Sequence, residues 1–121
     1  MKKVFTGMLV LNLLVEAVAA TFLIGGAEAM FPGGNIAATG WARNYGFAAL
    51  AIGSTIFWIW PSRDDLKTVS AVLGILMTFH TGVALSLAID GTQMGSAYLH
   101  TFMAAFTITM YTLRAKWCVA R

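Results

Sequence analysis

The sequence predicts an all-α integral membrane protein, an up-down four-helix bundle that occupies residues 1–121 as one domain with both termini in the cytoplasm. Three observations predict it. Hydrophobic residues make up 59% of the chain and charged residues 11%, whereas soluble domains average ~45–50% and ~25%. The chain contains four long apolar stretches, and its basic residues cluster at alternate ends of them.

The apolar stretches have the length of membrane spans, which is roughly 20 residues for a helix. They cover residues 4–24, 42–60, 68–89 and 97–113. The first is longer than the apolar core of a usual signal peptide and contains Asn12 and Glu16. We therefore expect it to be retained as a span.

Three polar segments connect the spans: "GGAEAMFPGGNIAATG", "PSRDD" and "DGTQMGS". The first is rich in glycine and contains Pro32, as expected of a loop. Pro61 is expected to stop the second helix. Because the second connection is tight, the second and third helices are expected to be antiparallel neighbours.

The distribution of charge predicts the orientation. Seven of the eight basic residues lie in the N-terminal tail, the second loop and the C-terminal tail: Lys2, Lys3, Arg63, Lys67, Arg114, Lys116 and Arg121. By the positive-inside rule these segments are cytoplasmic. The basic residues are thus explained by topology and by anionic lipid, so we expect membrane lipids as partners and no nucleic acid.

Four titratable side chains lie within the predicted spans, although each costs roughly 2.5–3.5 kcal/mol there. Glu16, His80 and His100 each stand thirteen or fourteen residues from the basic residue that ends their span. At ~1.5 Å per residue, all three lie about 20 Å above the cytoplasmic charges. Arg43 lies about one turn higher. Three helices thus present titratable groups at one level, which predicts a site.

Further polar residues follow the same helical faces and complete the predicted site. Asn12 precedes Glu16 by one turn, and on the fourth helix a stripe contains His100, Ala104, Thr107 and Tyr111. On the second helix the predicted packing stripe contains Arg43, Gly46, Leu50, Gly53 and Phe57. We assign Glu16, His80 and His100 as catalytic residues. The expected ligand-binding residues are Asn12, Arg43, Asn44, Thr107 and Tyr111.

The chemistry of this set stays open at the level of sequence. A carboxylate and two imidazoles can transfer protons as acid and base, hold a metal ion, or, through the histidines, ligate haem. No single helix contains a metal-ligand repeat, so no metal or cofactor is assigned. Alternatively, each histidine only bonds a neighbouring helix, and Arg43 pairs with Glu28 or Asp90. Cys118 is the single cysteine, which excludes an intrachain disulfide.

Three segments resemble DoxX-like small four-helix membrane proteins: "GWARNYGFAALAIG" at 40–53, "FHTGVALSLAIDG" at 79–91 and "AYLHTF" at 97–102. The resemblance implies a four-helix bundle in a bacterial inner membrane, in a group linked to quinone-coupled oxidoreduction and to membrane oxidoreductase complexes. The four-helix arrangement with a carboxylate and histidines also resembles that of sterol-isomerase-like membrane proteins.

Two functions follow as hypotheses. In the first, an outward-opening polar pocket binds a small lipophilic molecule, with isomerase- or oxidoreductase-type acid–base chemistry, and Arg43 clamps the ligand at the mouth. In the second, the chain is a non-catalytic accessory subunit of a larger membrane complex, or a homo-oligomer, and its polar residues serve helix packing. A transporter is disfavoured because four spans without an inverted repeat do not build a pathway.

Overall fold

The computed structural model describes residues 1–30, 36–91 and 93–120, and it is helical. The α-helices are α1 (Lys2–Gly25), α2 (Ala27–Met30), α3 (Ile36–Gly53), α4 (Thr55–Ile59), α5 (Leu66–Asp90) and α6 (Met94–Leu113). Short 3-10 turns follow at Trp60–Ser62 and Arg114–Lys116. The described ranges contain no β-strand, which confirms the all-α class. Pro32 of the predicted first loop lies outside them.

The second predicted span is interrupted, which the sequence analysis did not anticipate. Helix α3 ends at Gly53 and α4 begins at Thr55. The carbonyl oxygen of Ile52 accepts hydrogen bonds from Asn12 Nδ2 at 3.1 Å and from the Thr55 hydroxyl. The Phe57 amide donates to Ser54 instead, closing a tighter turn. Side chains thus satisfy the Ile52 carbonyl where the helix breaks.

The contacts of the chain fall into two compact units. One consists of Met1–Phe5 with Pro61–Arg121 and is called here the hairpin unit. The other consists of Thr6–Trp60 and is called the N-terminal unit.

The hairpin unit is built on the antiparallel pair α5 and α6. The Asp65 carboxylate caps α5 by accepting the Thr68 amide at 2.8 Å. Helix α5 ends at Asp90 and is capped by Gly91, whose φ of 72° lies in the left-handed region that glycine tolerates. The chain then turns back, so that Arg114 Nε donates to Ser70 Oγ at 2.7 Å. This contact joins the first turns of α5 to the end of α6, so the two helices run antiparallel.

One end of the hairpin unit gathers the N-terminal tail, the second loop and the C-terminal tail. Lys2 Nζ lies 2.7 Å from the Asp64 carboxylate. The Val119 amide donates to the Asp64 carbonyl at 2.7 Å, and its own carbonyl accepts from Leu66 at 2.9 Å. Phe5 packs against Trp117 with ring centroids 5.2 Å apart. The three basic segments that the charge pattern placed together are therefore together in the structure.

In the N-terminal unit, α1 and α3 pack closely through glycines. A Cβ atom at Gly46 would lie 2.7 Å from Ile24, and one at Gly53 would lie 3.0 Å from Glu16. The buried face of α3 consists of Ala42, Gly46, Ala49 and Gly53. The predicted stripe was therefore only partly right, because Arg43, Leu50 and Phe57 are exposed. The buried face of α3 is rotated from the predicted stripe toward the small residues, since only small side chains allow such close packing against α1.

Candidate functional site

His80 on α5 and His100 on α6 face each other inside the hairpin unit. Their Nδ1 atoms are 3.0 Å apart. His80 is fully buried and His100 is 6% exposed. Each histidine occupies a position in the buried stripe of its helix, and the antiparallel register brings the two to one level. The level that the sequence predicted for this pair is thus confirmed within the unit.

The contact between the rings has the length of a hydrogen bond, for which ~2.7–3.2 Å is normal. One Nδ1 must then carry a proton and the other a lone pair. In a neutral imidazole only one nitrogen is protonated. The donor ring therefore has an Nε2 lone pair that can accept a proton, and the acceptor ring has an Nε2–H that can donate a hydrogen bond. The pair thus presents one proton acceptor and one N–H donor.

The same two nitrogens are also candidate metal ligands. With Zn–N bonds of ~2.0–2.1 Å, a tetrahedral ion holds two imidazole nitrogens about 3.3 Å apart. The observed 3.0 Å is close to this separation. A slight opening of the pair would thus accommodate an ion, which leaves metal binding as an alternative chemistry of these residues.

Phe79 is a member of this cluster that the sequence analysis missed. Its ring lies edge-on to His80 at 5.3 Å and to His100 at 6.3 Å, measured between centroids. Phe5 is another phenylalanine of this unit with a buried side chain. The only sequence feature that indicated a role for Phe79 is its position directly before His80. An aromatic edge on both imidazoles keeps water from that side of the pair.

The other predicted residues of α6 are differently engaged. Thr107 is buried, but its hydroxyl donates to the carbonyls of Met103 at 3.0 Å and Ala104 at 2.9 Å in its own helix. Tyr111 follows His100 by eleven residues, about 16 Å along the helix. Its ring lies under the Arg114 guanidinium at 3.6 Å. Thr107 thus completes a turn of its own helix, and Tyr111 lies at the basic end.

Glu16 and Asn12 form the buried polar edge of α1 in the N-terminal unit, as predicted. Both are fully buried. Asn12 is anchored by its hydrogen bond to the Ile52 carbonyl. The Glu16 side chain packs over Gly53, and Tyr45 of α3 lies within electrostatic reach of its carboxylate. Close packing against α3 therefore holds both polar groups in position.

Arg43 and Asn44 lie outside any buried cluster of their unit. Arg43 Nη2 is 2.8 Å from the Glu28 carboxylate, and both side chains are solvent-accessible. This ion pair is the alternative that the sequence left open for Arg43. Asn44 is exposed, because it points away from the buried face of α3. Within the unit, Arg43 is thus engaged with Glu28 and Asn44 is exposed, and their predicted ligand-binding role stays a prediction.

Cys118 lies beside the acidic loop of the hairpin unit. Its thiol is half-buried. Burial raises the pKa of Cys118, the nearby carboxylates of Asp64 and Asp65 raise it further, and the Arg114 guanidinium opposes them. A thiol held protonated in this way is a weak nucleophile. The structure thus gives Cys118 no catalytic character.

No protein-family model matches the chain, and comparisons with curated proteins and with solved structures gave no match.

Proposed function

We propose that this chain is a multi-pass protein of a bacterial inner membrane, with four spans in an up-down bundle and both termini cytoplasmic. Among the described residues, two helices, α1 and α5, are long and apolar enough to cross a membrane. Many large apolar side chains along the helices are exposed, and Leu14, Phe22, Leu85 and Phe102 among them are 57–61% exposed. Soluble monomers rarely expose so much apolar surface. Contact with lipid would remove this surface from water.

A cysteine-accessibility experiment tests this topology. In a background with Cys118→Ser, single cysteines are placed at Ser62 and at Thr92, which lies outside the described residues. An impermeant maleimide should label position 92 in intact cells and position 62 only after lysis. Labelling of position 62 from outside, or recovery of the protein in the soluble fraction, would contradict the proposal.

We propose that the buried histidine pair binds a small lipophilic molecule and moves a proton on it. The single observation that carries this proposal is the 3.0 Å contact between His80 Nδ1 and His100 Nδ1. The basic Nε2 of one ring takes a proton from the ligand, its Nδ1 proton passes to the partner ring, and the partner's Nε2–H protonates a second ligand atom. The net charge is unchanged, and the two rings end in exchanged tautomers.

This tautomer exchange fits reactions in which one atom of the ligand loses a proton and another atom of the same ligand gains one. Isomerisation of an unsaturated ketone is such a reaction, and protonation of a reduced quinone oxygen would use half of it. By residue count, Glu16 has the same depth in its predicted span as the histidines have in theirs, and its part in the site stays a prediction from the sequence. Arg43 is left out of this proposal, since it forms an ion pair with Glu28.

Nitrogen NMR gives a direct test because the chain has only two histidines. In protein labelled with ¹⁵N-histidine, two neutral rings should show one protonated and one unprotonated Nδ1, coupled through the hydrogen bond. His80→Gln should remove the coupling and change the His100 tautomer. Two rings with identical, independent tautomers would contradict the proposal.

Two probes then separate the reaction classes. A β,γ-unsaturated lipophilic ketone should be isomerised if the pair works as acid and base, and decylubiquinone should shift the histidine signals if quinone binding is the role. His80→Gln and His100→Gln should abolish either response at equal protein level. If neither probe acts and both variants keep full activity in the host, the accessory-subunit function replaces this one.

A further inference from the structure

An open groove of about 610 Å³ runs along the outside of the hairpin unit, away from the buried stripes of α5 and α6. Its walls include Ser70, Gly74, Ile75, Thr78, Phe79 and Tyr111. Its volume is within the ~300–1,000 Å³ of ligand pockets. From Ser70 to Phe79 it follows α5 for about 13 Å. It is therefore a long, shallow site.

The walls of the groove are apolar even where the sequence is polar. The Thr78 hydroxyl donates to the Gly74 carbonyl at 3.0 Å. The Ser70 hydroxyl donates to the Leu66 carbonyl at 2.6 Å and accepts from Arg114. These hydroxyls are satisfied within the protein and offer little to a polar ligand. A hydrocarbon chain fits such a surface.

One end of the groove is cationic. Arg114 lies there over the Tyr111 ring, and Lys67 is exposed one turn before Ser70. The nearby acidic side chains already have partners. Asp64 forms an ion pair with Lys2, and the Asp65 carboxylate caps α5. Hydrogen bonds to Ser70 and Tyr111 use only part of the Arg114 guanidinium, which carries further N–H donors. An anion at this end would thus meet cations.

We infer that the groove binds an anionic glycerophospholipid, with one acyl chain along α5 and the phosphate at Arg114 and Lys67. This inference rests on the membrane location proposed above. A phospholipid has an apolar acyl chain joined to an anionic phosphate. The groove offers apolar walls between Gly74 and Tyr111 and a cationic end next to them, which is the same order. The lipid groove is separate from the histidine pair. The Phe79 ring lies between them, because it lines the groove and contacts both imidazoles.

Gly74 offers a sharp test because a Cβ atom built on it meets nothing within 4 Å. The side chain of Gly74→Leu would start from this open space and occupy the groove, and leucine favours a helix over glycine. Gly82→Leu is the matched control, since Gly82 is on the same helix, is equally open and does not line the groove. Lys67→Gln removes one cation from the basic end.

Native mass spectrometry of the detergent-purified chain, with phosphatidylglycerol and phosphatidylcholine of identical acyl chains, measures the binding. We expect one phosphatidylglycerol per wild-type chain in preference to phosphatidylcholine. Gly74→Leu should lose both lipids, whereas Gly82→Leu should keep the wild-type pattern. Lys67→Gln should lower the preference about fivefold, the factor that ~1 kcal/mol per basic residue corresponds to.

Equal binding of the two lipids by the wild type would overturn the inference, as would unchanged binding by Gly74→Leu. Equal losses in Gly74→Leu and Gly82→Leu would overturn it too, because the effect would then not belong to the groove. A membrane-inserted protein that fails these tests refutes the lipid site alone. Recovery in the soluble fraction refutes the proposed function.

Discussion

Replacing His80 and His100 by leucine, singly and together, should reveal a coupling between the two positions. Each ring currently supplies the Nδ1 partner of the other at 3.0 Å. A single His80→Leu removes one imidazole and leaves the His100 Nδ1 without that partner in a buried position. The double variant leaves no imidazole there, and two apolar side chains can pack together.

The expected magnitudes follow from this geometry. A buried polar atom that loses its partner costs ~1–3 kcal/mol, and replacing both partners by apolar groups avoids part of that cost. Hydrogen bonds between membrane helices average ~0.6 kcal/mol and reach ~1.7 kcal/mol. We therefore expect each single variant to lower the free energy of unfolding by about 1–2 kcal/mol. The double variant should cost about 0.6–1.7 kcal/mol less than the sum of the singles.

Unfolding of the four proteins in mixed micelles, followed by the loss of helical circular dichroism, measures this cycle. His80→Leu with Thr107→Val is the control cycle, because Thr107 bonds only its own helix and lies about 10 Å from His100 along α6. Distant pairs add within ~0.3–0.5 kcal/mol. Additivity of the two histidine variants within that margin would refute the direct bond between the rings.

Three further changes test other parts of the structure. Gly46→Ala should lower unfolding stability by about 1–3 kcal/mol, because its Cβ would lie 2.7 Å from α1; Gly7→Ala, where a Cβ meets nothing, should not. Asp65→Ala should cost about 0.5–2 kcal/mol through loss of the α5 cap, visible as a lower midpoint in the same titration. Because burial and then nearby carboxylates raise its pKa, Cys118 should alkylate more slowly at pH 7.5 than a free thiol, and Asp64→Asn should accelerate it; equal rates would contradict this.

The sequence by itself determined the helical class, the shared end of the basic segments and the common level of His80 and His100. These follow from composition and from residue counts along helices of known rise, which are properties of each segment alone. The burial of Asn12 and Glu16 was predictable for the same reason, since a polar edge in an apolar helix is costly unless it faces protein.

The tertiary structure decided which atoms meet. A residue count gives the depth of a side chain but neither the rotation of its helix nor its rotamer, so the Nδ1 contact and the Phe79 edge had no sequence signal beyond proximity. The rotation of α3 toward its small residues depends on the closeness of packing at Gly46, and the choice of Glu28 as the partner of Arg43 is seen only in the folded chain. The break at Ser54 depends on Asn12 of another helix, which supplies a hydrogen bond to Ile52 that no local sequence pattern contains.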